Sequence, residues 1–174
     1  MRVQSPAIVV VGVESTGKTT LARRLAAATG RVFVPEVARG WLNARGGRYE
    51  ESDLLTLARL QNDTERKGQR QGGAVVADTD LSVIRIWSEA RYGRCAEEIL
   101  AMLDERGPAL YLLPVPDLPW EPDPLREAPS LEARRALHAR YVRLLDELGH
   151  PWAAVHGQGS ARWLNARAAL SYLC

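Results

Sequence analysis

The chain has 174 residues, a length typical of one domain, and it can bury a hydrophobic core without disulfides or a structural metal. Hydrophobic residues make up 46% and charged residues 25%, which excludes extended disorder, a collagen-like chain and a small disulfide scaffold. The formal net charge is only +2 and the arginines are spread along the chain, so we do not expect a dedicated nucleic-acid binder.

Cysteine spacing and hydropathy indicate the cellular compartment in which we expect the chain to work. Cys95 and Cys174 lie far apart and lack the spacing of a zinc site, which favours a reducing cytoplasm. The apolar run at residues 7–13 is too short for a secretory signal, and no segment reaches the roughly 18 apolar residues of a membrane span. We expect one cytoplasmic domain over residues 1–174, with no membrane partner, and the sequence leaves the oligomeric state open.

Apolar patterning predicts five strands that alternate with helices. The first run, residues 7–13, is β-branched and continuous, as in a strand that is buried on both faces. Such alternation is typical of an α/β fold with a parallel sheet and helices on both of its faces. The predicted strands are 7–13, 31–34, 74–77, 110–113 and 152–156, and the predicted helices are 18–29, 37–43, 52–67, 81–90, 95–105, 137–148 and 161–173. Ser52 is the predicted N-cap of the third helix, and Trp87 is predicted to lie in the core.

A glycine-rich motif joins the first strand to the first helix. Residues 12–19 read GVESTGKT and fit the pattern G-x-x-x-x-G-K-[ST]. The glycines let consecutive backbone N–H groups face phosphate oxygens, and the helix that begins at Lys18 adds its positive end. Lys18 is expected to reach the β- and γ-phosphates, and the Thr19 hydroxyl to bind Mg²⁺. The motif therefore predicts nucleotide binding. Lys18 is also one of only two lysines, which supports this assignment because a compact ammonium fits among phosphates better than a guanidinium.

Three carboxylates follow predicted strands. Asp78 ends the third strand, where an acidic residue is the expected partner of Mg²⁺, although a turn or a helix N-cap is the alternative. Asp80 is better placed than Asp78 for the cap, and a functional role for Asp80 stays open. Glu36 follows the second strand, and neighbouring parallel strands bring their ends to one crevice. Its carboxylate can accept a proton from a substrate hydroxyl. The alternative is a structural glutamate in the first turn of a helix, where the helix dipole favours negative charge.

Two loops carry further candidates. Six of the ten prolines lie at residues 114–129, which excludes helix and central strand there and predicts a long, stiffened loop. An arginine such as Arg126 on this loop can stabilise charge during phosphoryl transfer if the loop acts as a lid, and a surface arginine is the alternative. The second loop, GQGSAR at residues 157–162, often lies beside the adenine in such folds, and a plain turn with Ser160 as N-cap is the alternative.

Taken together, these segments resemble the ATPase/kinase domain of the bifunctional nicotinamide-nucleotide regulator proteins, which phosphorylates nicotinamide riboside, and the stand-alone bacterial relatives of that domain. The similarity extends from residue 7 to about residue 169. It depends on the series GVESTGKTTLARRLA, VPEVARGW, ARLQ, VVADTDLSVIRIW, PVPDLPWEPDPLR and VHGQGSARW. The resemblance implies a P-loop kinase of the nucleoside- or nucleotide-kinase type, a three-layer sandwich. Its five-stranded parallel sheet would have the order 2-3-1-4-5, with a Pro-rich lid at about 114–130.

The resemblance also implies the chemistry of the site. It implies ATP and Mg²⁺ as cofactors and a small nucleoside-like acceptor, with nicotinamide riboside as the first candidate. The implied ATP-binding residues are Gly12, Glu14, Ser15, Thr16, Gly17, Lys18, Thr19, Thr20 and Arg162. The implied acceptor-binding residues are Glu36, Arg39, Asp80 and Trp120, and the implied catalytic residues are Lys18, Glu36, Asp78 and Arg126. Thr19 and Asp78 are the implied metal-binding residues.

Two positions depart from the pattern of the family. Pro124 stands where the lid often has glycine, and Pro35 stands where the bifunctional proteins have an aromatic residue that can stack on the nicotinamide ring. The acceptor therefore stays open, as does the choice between Glu36 and Asp78 as the base. The alternative function is an ATP-binding and ATP-hydrolysing regulatory switch whose partner is a protein.

Overall fold

A computed structural model describes residues 5–123, 125, 128 and 130–173. Its strands are β1 (Ala7–Val10), β2 (Val32–Val34), β3 (Val75–Asp78), β4 (Ala109–Pro114) and β5 (Trp152–Val155). Its helices are α1 (Lys18–Thr29), α2 (Val37–Asn43), α3 (Glu51–Gly72), α4 (Leu81–Tyr92), α5 (Glu97–Asp104), α6 (Leu131–Leu148) and α7 (Gly159–Leu173). Within the described ranges, every helix is too short or too polar to cross a lipid bilayer.

The five strands form one parallel sheet in the order β2-β3-β1-β4-β5. The first apolar run supplies the central strand, in which Ile8 lies between Val76 of β3 and Leu110 of β4. Because a parallel sheet aligns the carboxyl ends of its strands along one edge, the loops after β1, β2 and β3 meet there. The predicted α/β fold class and strand order are confirmed.

Side chains of the central strands alternate between two cores. In β1, Ala7 and Val9 belong to a core that includes residues of α3, α4, α5 and α6. Ile8 and Val10 point to the other face and pack with apolar residues of α1 and α7. The continuous apolar run of β1 is thus explained by burial on both faces, and the result is a three-layer sandwich.

Helix α3 is longer at both ends than predicted. It begins after Glu50, whose backbone N–H donates to the carboxylate of Asp53 at 2.9 Å, so the prediction of Ser52 as N-cap is wrong. At its other end α3 continues through Gly68 to Gly72. Glycine in a helix usually signals an end because it carries an entropic penalty, but here the glycines permit a close approach of α3 to β2.

The described residues between β4 and α6 form neither helix nor strand, as the proline content predicts. We call residues 115–130 the Pro-rich segment. It ends at Ser130, whose hydroxyl caps α6 by accepting the backbone N–H of Ala133 at 3.0 Å.

Substituting alanine for Gly68 tests the packing of α3 on the sheet. A Cβ at this position would lie 3.0 Å from Cγ2 of Val34 and 3.1 Å from Cγ1 of Val75, both closer than ordinary contact. We expect Gly68→Ala to lower the free energy of unfolding by about 1–3 kcal/mol, measured by urea denaturation, because overpacking outweighs the gain in helix propensity. Gly40→Ala on α2 is the matched control: a Cβ there would meet no atom of a neighbouring element within 4 Å, and we expect a gain of about 0.5–1 kcal/mol. Equal effects at the two glycines would contradict the close approach.

Candidate active site

The glycine-rich motif forms a tight loop after β1. Gly12 has a φ of +133° and Gly17 a φ of +73°, conformations that glycine adopts without strain. A Cβ on Gly12 would lie 3.0 Å from Cδ1 of Leu113, so a side chain there would press on the core as well. The loop therefore needs glycine at both fixed positions of the motif.

Lys18 is held inside this loop. Its ammonium donates to the backbone carbonyl of Val13 at 2.8 Å, and the hydroxyl of Thr16 donates to the same carbonyl at 2.8 Å. Burial lowers the pKa of Lys18, while the nearby carboxylates of Glu36 and Asp78 act in the opposite direction. The ammonium is thus poorly solvated and bound to a neutral carbonyl, an arrangement in which an anionic phosphate is a better partner.

Thr19 and Asp78 bring two oxygen ligands together. The Thr19 hydroxyl donates to Oδ2 of Asp78 at 2.6 Å, across the gap between α1 and β3. The other oxygen, Oδ1, is buried and has no partner among the described residues. Burial raises the pKa of Asp78, with the Thr19 hydrogen bond opposing the shift. This oxygen pair suits Mg²⁺, which is commonly bound by one or two protein oxygens together with phosphate oxygens. The described residues contain no cluster of three or more histidine, cysteine or acidic residues that could hold a metal alone.

Glu36 lies at the start of α2, immediately after β2, and lines the cavity described below. Its backbone is held by Gln61 of α3, which accepts the N–H of Val37 at 2.9 Å and donates to the carbonyl of Pro35 at 3.4 Å. Burial raises the pKa of Glu36, and Lys18 is the main group that opposes this. The raised pKa makes the carboxylate a stronger proton acceptor than an exposed glutamate.

One cavity of about 970 Å³ is lined by the glycine-rich loop and by Glu36. Asp78 is buried behind Thr19, to which it is hydrogen-bonded, and does not itself line the cavity. The predicted residues that line it are the loop from Gly12 to Thr20, Glu36 and Arg39. Its remaining walls include Tyr49 and Trp87, and residues of the Pro-rich segment such as Leu118 and Glu121. The structure therefore brings most of the predicted site into one compartment. Arg39 lies close to both of its acidic neighbours, at 2.9 Å from Asp123 and 3.9 Å from Glu36.

Two aromatic residues of the cavity, Tyr49 and Trp87, are not predicted as site residues by the sequence, and we call them the aromatic wall. The rings of Tyr49 and Trp87 stack with centroids 5.9 Å apart and an interplanar angle of 29°, and the guanidinium of Arg91 lies 4.4 Å from the Tyr49 ring centroid. Trp87 packs against the core as predicted, but it also lines the cavity. The sequence does contain a pattern that could have indicated this second role of Trp87. Val83, Trp87 and Ala90 are spaced so that they lie on one face of α4, and all three line the cavity.

The Pro-rich segment lies against the glycine-rich loop. Glu14 accepts the indole N–H of Trp120 at 3.1 Å and the backbone N–H of Ala128 at 2.8 Å. The backbone N–H of Glu121 donates to the Ser15 hydroxyl at 3.2 Å. Trp120, predicted to bind the acceptor, thus binds the loop and does not line the cavity. Arg126, Pro124 and Cys174 lie outside the described residues, so the role of Arg126 on a lid stays a prediction.

The structure does not support the prediction that Asp80 faces the acceptor. Asp80 is fully buried, and one of its oxygens accepts the N–H of Ser82, which makes it the N-cap of α4. The other oxygen accepts the Tyr111 hydroxyl at 2.7 Å and pairs with Arg106 at 2.9 Å. Every carboxylate oxygen is thus engaged away from the cavity, and the capping alternative describes this residue.

Arg162, predicted to bind ATP, is also turned inward. It is 5% exposed and donates to the backbone carbonyls of Thr16, Gly157 and Val115, and it pairs with the carboxylate of Asp117. Burial lowers the pKa of Arg162, with Asp117 opposing the shift. The residue joins the glycine-rich loop to the start of the Pro-rich segment, so it supports the nucleotide site without lining the cavity.

A phosphate-binding loop at the end of the central strand, an acidic residue at the end of its neighbour and the sheet order together define a P-loop protein with a nucleoside-kinase-like fold. The sequence profile of an AAA domain family matches residues 7–162, and the chain belongs to this family. A search of curated protein sequences found no significant match.

Solved structures agree with this assignment. A NadR protein in complex with NR is 25% identical, with a TM-score of 0.70 over 98% of this chain and 52% of that chain. A NadR protein in complex with NAD and AMP-PNP is 26% identical, with a TM-score of 0.70 over 98% and 50% of the two chains. Thymidylate kinase from Ehrlichia chaffeensis is 13% identical, with a TM-score of 0.68 over 96% and 98%, and shows the same fold. The chain spans about half the length of the NadR chains, and the predicted NadR-like P-loop kinase domain is confirmed.

The buried carboxylates predict how stability depends on pH. Burial raises the pKa values of Glu36, Asp78 and Glu65, so the folded chain retains protons that the unfolded chain has already lost. Stability of the ligand-free protein should therefore fall as pH rises from the ordinary carboxyl range through the raised pKa values. Asp78→Asn, which removes one buried charge, should reduce this fall by about 1.4 kcal/mol for each unit by which the pKa of Asp78 is raised, measured by thermal unfolding from pH 4 to pH 8. Asp63→Asn, at an exposed position of α3, is the control and should leave the slope unchanged.

Proposed function

We propose that the protein is a Mg²⁺- and ATP-dependent kinase of a small nucleoside-like compound, with nicotinamide riboside as the first candidate. The observation that carries the proposal is a single cavity lined by the P-loop, by the carboxylate of Glu36 and by two aromatic rings. Phosphate donor, proton acceptor and a surface for a planar base thus share one compartment. The similarity to the NadR protein in complex with NR, at 25% identity over 98% of this chain, supports the choice of acceptor.

The P-loop and Asp78 fit the donor. Backbone N–H groups of the loop and the N-terminus of α1 favour phosphate oxygens, and Lys18 can exchange the carbonyl of Val13 for a phosphate. Thr19 and Asp78 would hold Mg²⁺, because their oxygens are adjacent and Oδ1 of Asp78 has no partner among the described residues. When bound, the ion screens negative charge on the phosphates.

Glu36 fits the role of proton acceptor. In the proposed reaction the acceptor oxygen bonds to the γ-phosphorus as the bond from that phosphorus to the bridging oxygen breaks, which leaves ADP. The hydroxyl proton passes to Glu36, whose burial and raised pKa suit this task. Asp78 is the weaker candidate because one of its oxygens already accepts the Thr19 hydroxyl.

Tyr49 and Trp87 supply the surface for the base. Pro35 stands where the bifunctional proteins have an aromatic residue. In this chain the cavity is lined instead by two stacked rings, Tyr49 on the loop before α3 and Trp87 on α4. Stacking on aromatic rings is favourable for planar heterocycles and tolerates different bases. The aromatic wall therefore favours a nucleoside over an acceptor without a planar ring.

A panel of acceptors tests the proposal. We expect ADP release from ATP and Mg²⁺ to depend on an added nucleoside, with the phosphorylated nucleoside formed in equal amount. The panel comprises nicotinamide riboside, adenosine, cytidine, thymidine and shikimate, assayed by coupled ADP detection and mass spectrometry of the product. Slow ADP release that no acceptor increases, from protein that still binds ATP, would contradict the proposal and would favour the regulatory switch.

The role of Glu36 predicts a characteristic pH profile. Because the base acts when ionised, kcat/KM should fall as pH is lowered through a pKa that lies above the usual range of glutamate. Glu36→Gln should lower kcat by about 10²–10⁴-fold and remove this acidic limb. Glu98→Gln, at an exposed position of α5, is the control and should keep both. A Glu36→Gln variant that retains the acidic limb would assign the limb to another group.

A further inference from the structure

The hydroxyl of Thr79 differs from those of Thr16 and Thr19, the other threonines of the site whose hydroxyl contacts are described. Thr79 is 1% exposed, and its Oγ1 has no hydrogen-bond partner among the described residues. By contrast, the hydroxyls of Thr16 and Thr19 are both bonded, to the Val13 carbonyl and to Asp78. Buried polar groups are nearly always paired, so an unpaired hydroxyl on a residue that lines the cavity points to a partner that arrives with a ligand.

The backbone of Thr79 is strained. Its φ is +66°, in the left-handed region that glycine or asparagine adopts far more readily than a β-branched residue. The conformation is imposed by the surroundings: the N–H of Thr79 donates to the carbonyl of Val10 at 3.0 Å, and Asp80 is fixed by its contacts with Ser82 and Arg106. Strain of this kind is concentrated at functional sites. A threonine at a position suited to glycine indicates that its side chain has a use.

The position of Thr79 suggests that use. Strand β3 lies between β1 and β2, so its carboxyl end lies between the P-loop and the turn that carries Glu36. Thr79 follows the last residue of β3 and lines the same cavity as Lys18 and Glu36. Under the proposed function, the γ-phosphate and the acceptor hydroxyl meet in this part of the cavity.

We propose that the Thr79 hydroxyl binds the attacking oxygen of the acceptor and positions it between Glu36 and the P-loop. The assignment rests on the phosphoryl transfer proposed above. A hydroxyl can donate to a lone pair of the acceptor oxygen while the proton of that oxygen remains directed at Glu36. Thr79 would thus be an acceptor-binding residue, and it moves no proton itself.

Three substitutions separate the hydroxyl from the backbone strain. Thr79→Val keeps the β-branch and removes the hydroxyl, Thr79→Gly removes the hydroxyl and the strain, and Thr79→Ser keeps the hydroxyl. With the best nucleoside of the panel, we expect Val and Gly to lower kcat/KM for the acceptor about tenfold, as for loss of one hydrogen bond. Ser should remain within about threefold of the original protein. The KM for ATP should stay within about twofold in all three, because the P-loop is untouched. Thr56→Val, at an exposed position of α3, is the matched control.

Thermal unfolding of the same variants controls for structural effects. Because the hydroxyl has no partner among the described residues, Thr79→Val should unfold at the same temperature as the original protein or higher, and Thr79→Gly should be no less stable. Unchanged kcat/KM in Thr79→Val would overturn the proposal. A loss in Val that Gly restores would also overturn it, since the loss would then come from strain. If Val does not fold, the comparison of Gly with Ser decides the question.

The failure of the proposed function can be told apart from the failure of this inference. If the original protein transfers phosphate to no acceptor, water is the attacking nucleophile, and acceptor-independent ADP release becomes the readout. Thr79→Val should then lower that release about tenfold at saturating ATP, while Thr79→Ser retains it. Equal rates of release in Val and the original protein would overturn the assignment of Thr79 whatever the acceptor is.

Discussion

The contacts of the buried Asp80 carboxylate are the ones on which the aromatic side of the cavity depends. It caps α4 through the N–H of Ser82 and pairs with Arg106, which in turn makes two hydrogen bonds to Glu65 of α3. Tyr111 of β4 donates to the same carboxylate. One charge network therefore joins β3, β4, α3 and α4. A buried charge is tolerated only with such partners, so the network leaves α4 little freedom to shift, and the position of the aromatic wall follows from it.

Local sequence patterns were sufficient to predict much of the fold and part of the site. The strands, the P-loop and the cavity position of Glu36 follow from apolar runs and from residues next to strand ends, which a parallel sheet must bring together. The place of Arg39 in the site is implied only by the family resemblance. The direction in which Asp80 points could not be read in this way, because it depends on Arg106 and Tyr111, which are distant in sequence. The aromatic wall could not be predicted for the same reason, because Tyr49 contacts Trp87 only when α3 packs against α4.

Arg162 is an example of a motif residue whose contacts in the structure differ from those that the motif predicts. The sequence predicts that the loop after β5 lies beside the adenine, and the resemblance implies that Arg162 binds ATP. In the structure three backbone carbonyls, one of them that of Thr16 in the P-loop, and Asp117 surround the guanidinium. Arginine presents five donors in a fixed plane, so it suits a place where several carbonyls converge as well as it suits a phosphate. Sequence shows the donor group, and only the surrounding backbone shows what it donates to.

The scarcity of lysine gives the P-loop a chemical handle. The chain has two lysine amines, one half-buried at Lys18 and bound to the Val13 carbonyl, the other exposed at Lys67 on α3. Acylating reagents attack the neutral amine, and the lowered pKa of Lys18 increases that form while burial restricts access to it. Removing Lys67 by substitution would leave a chain whose only lysine lies in the nucleotide site. Covalent labelling of that variant would then report loop occupancy directly, with no background from other lysines.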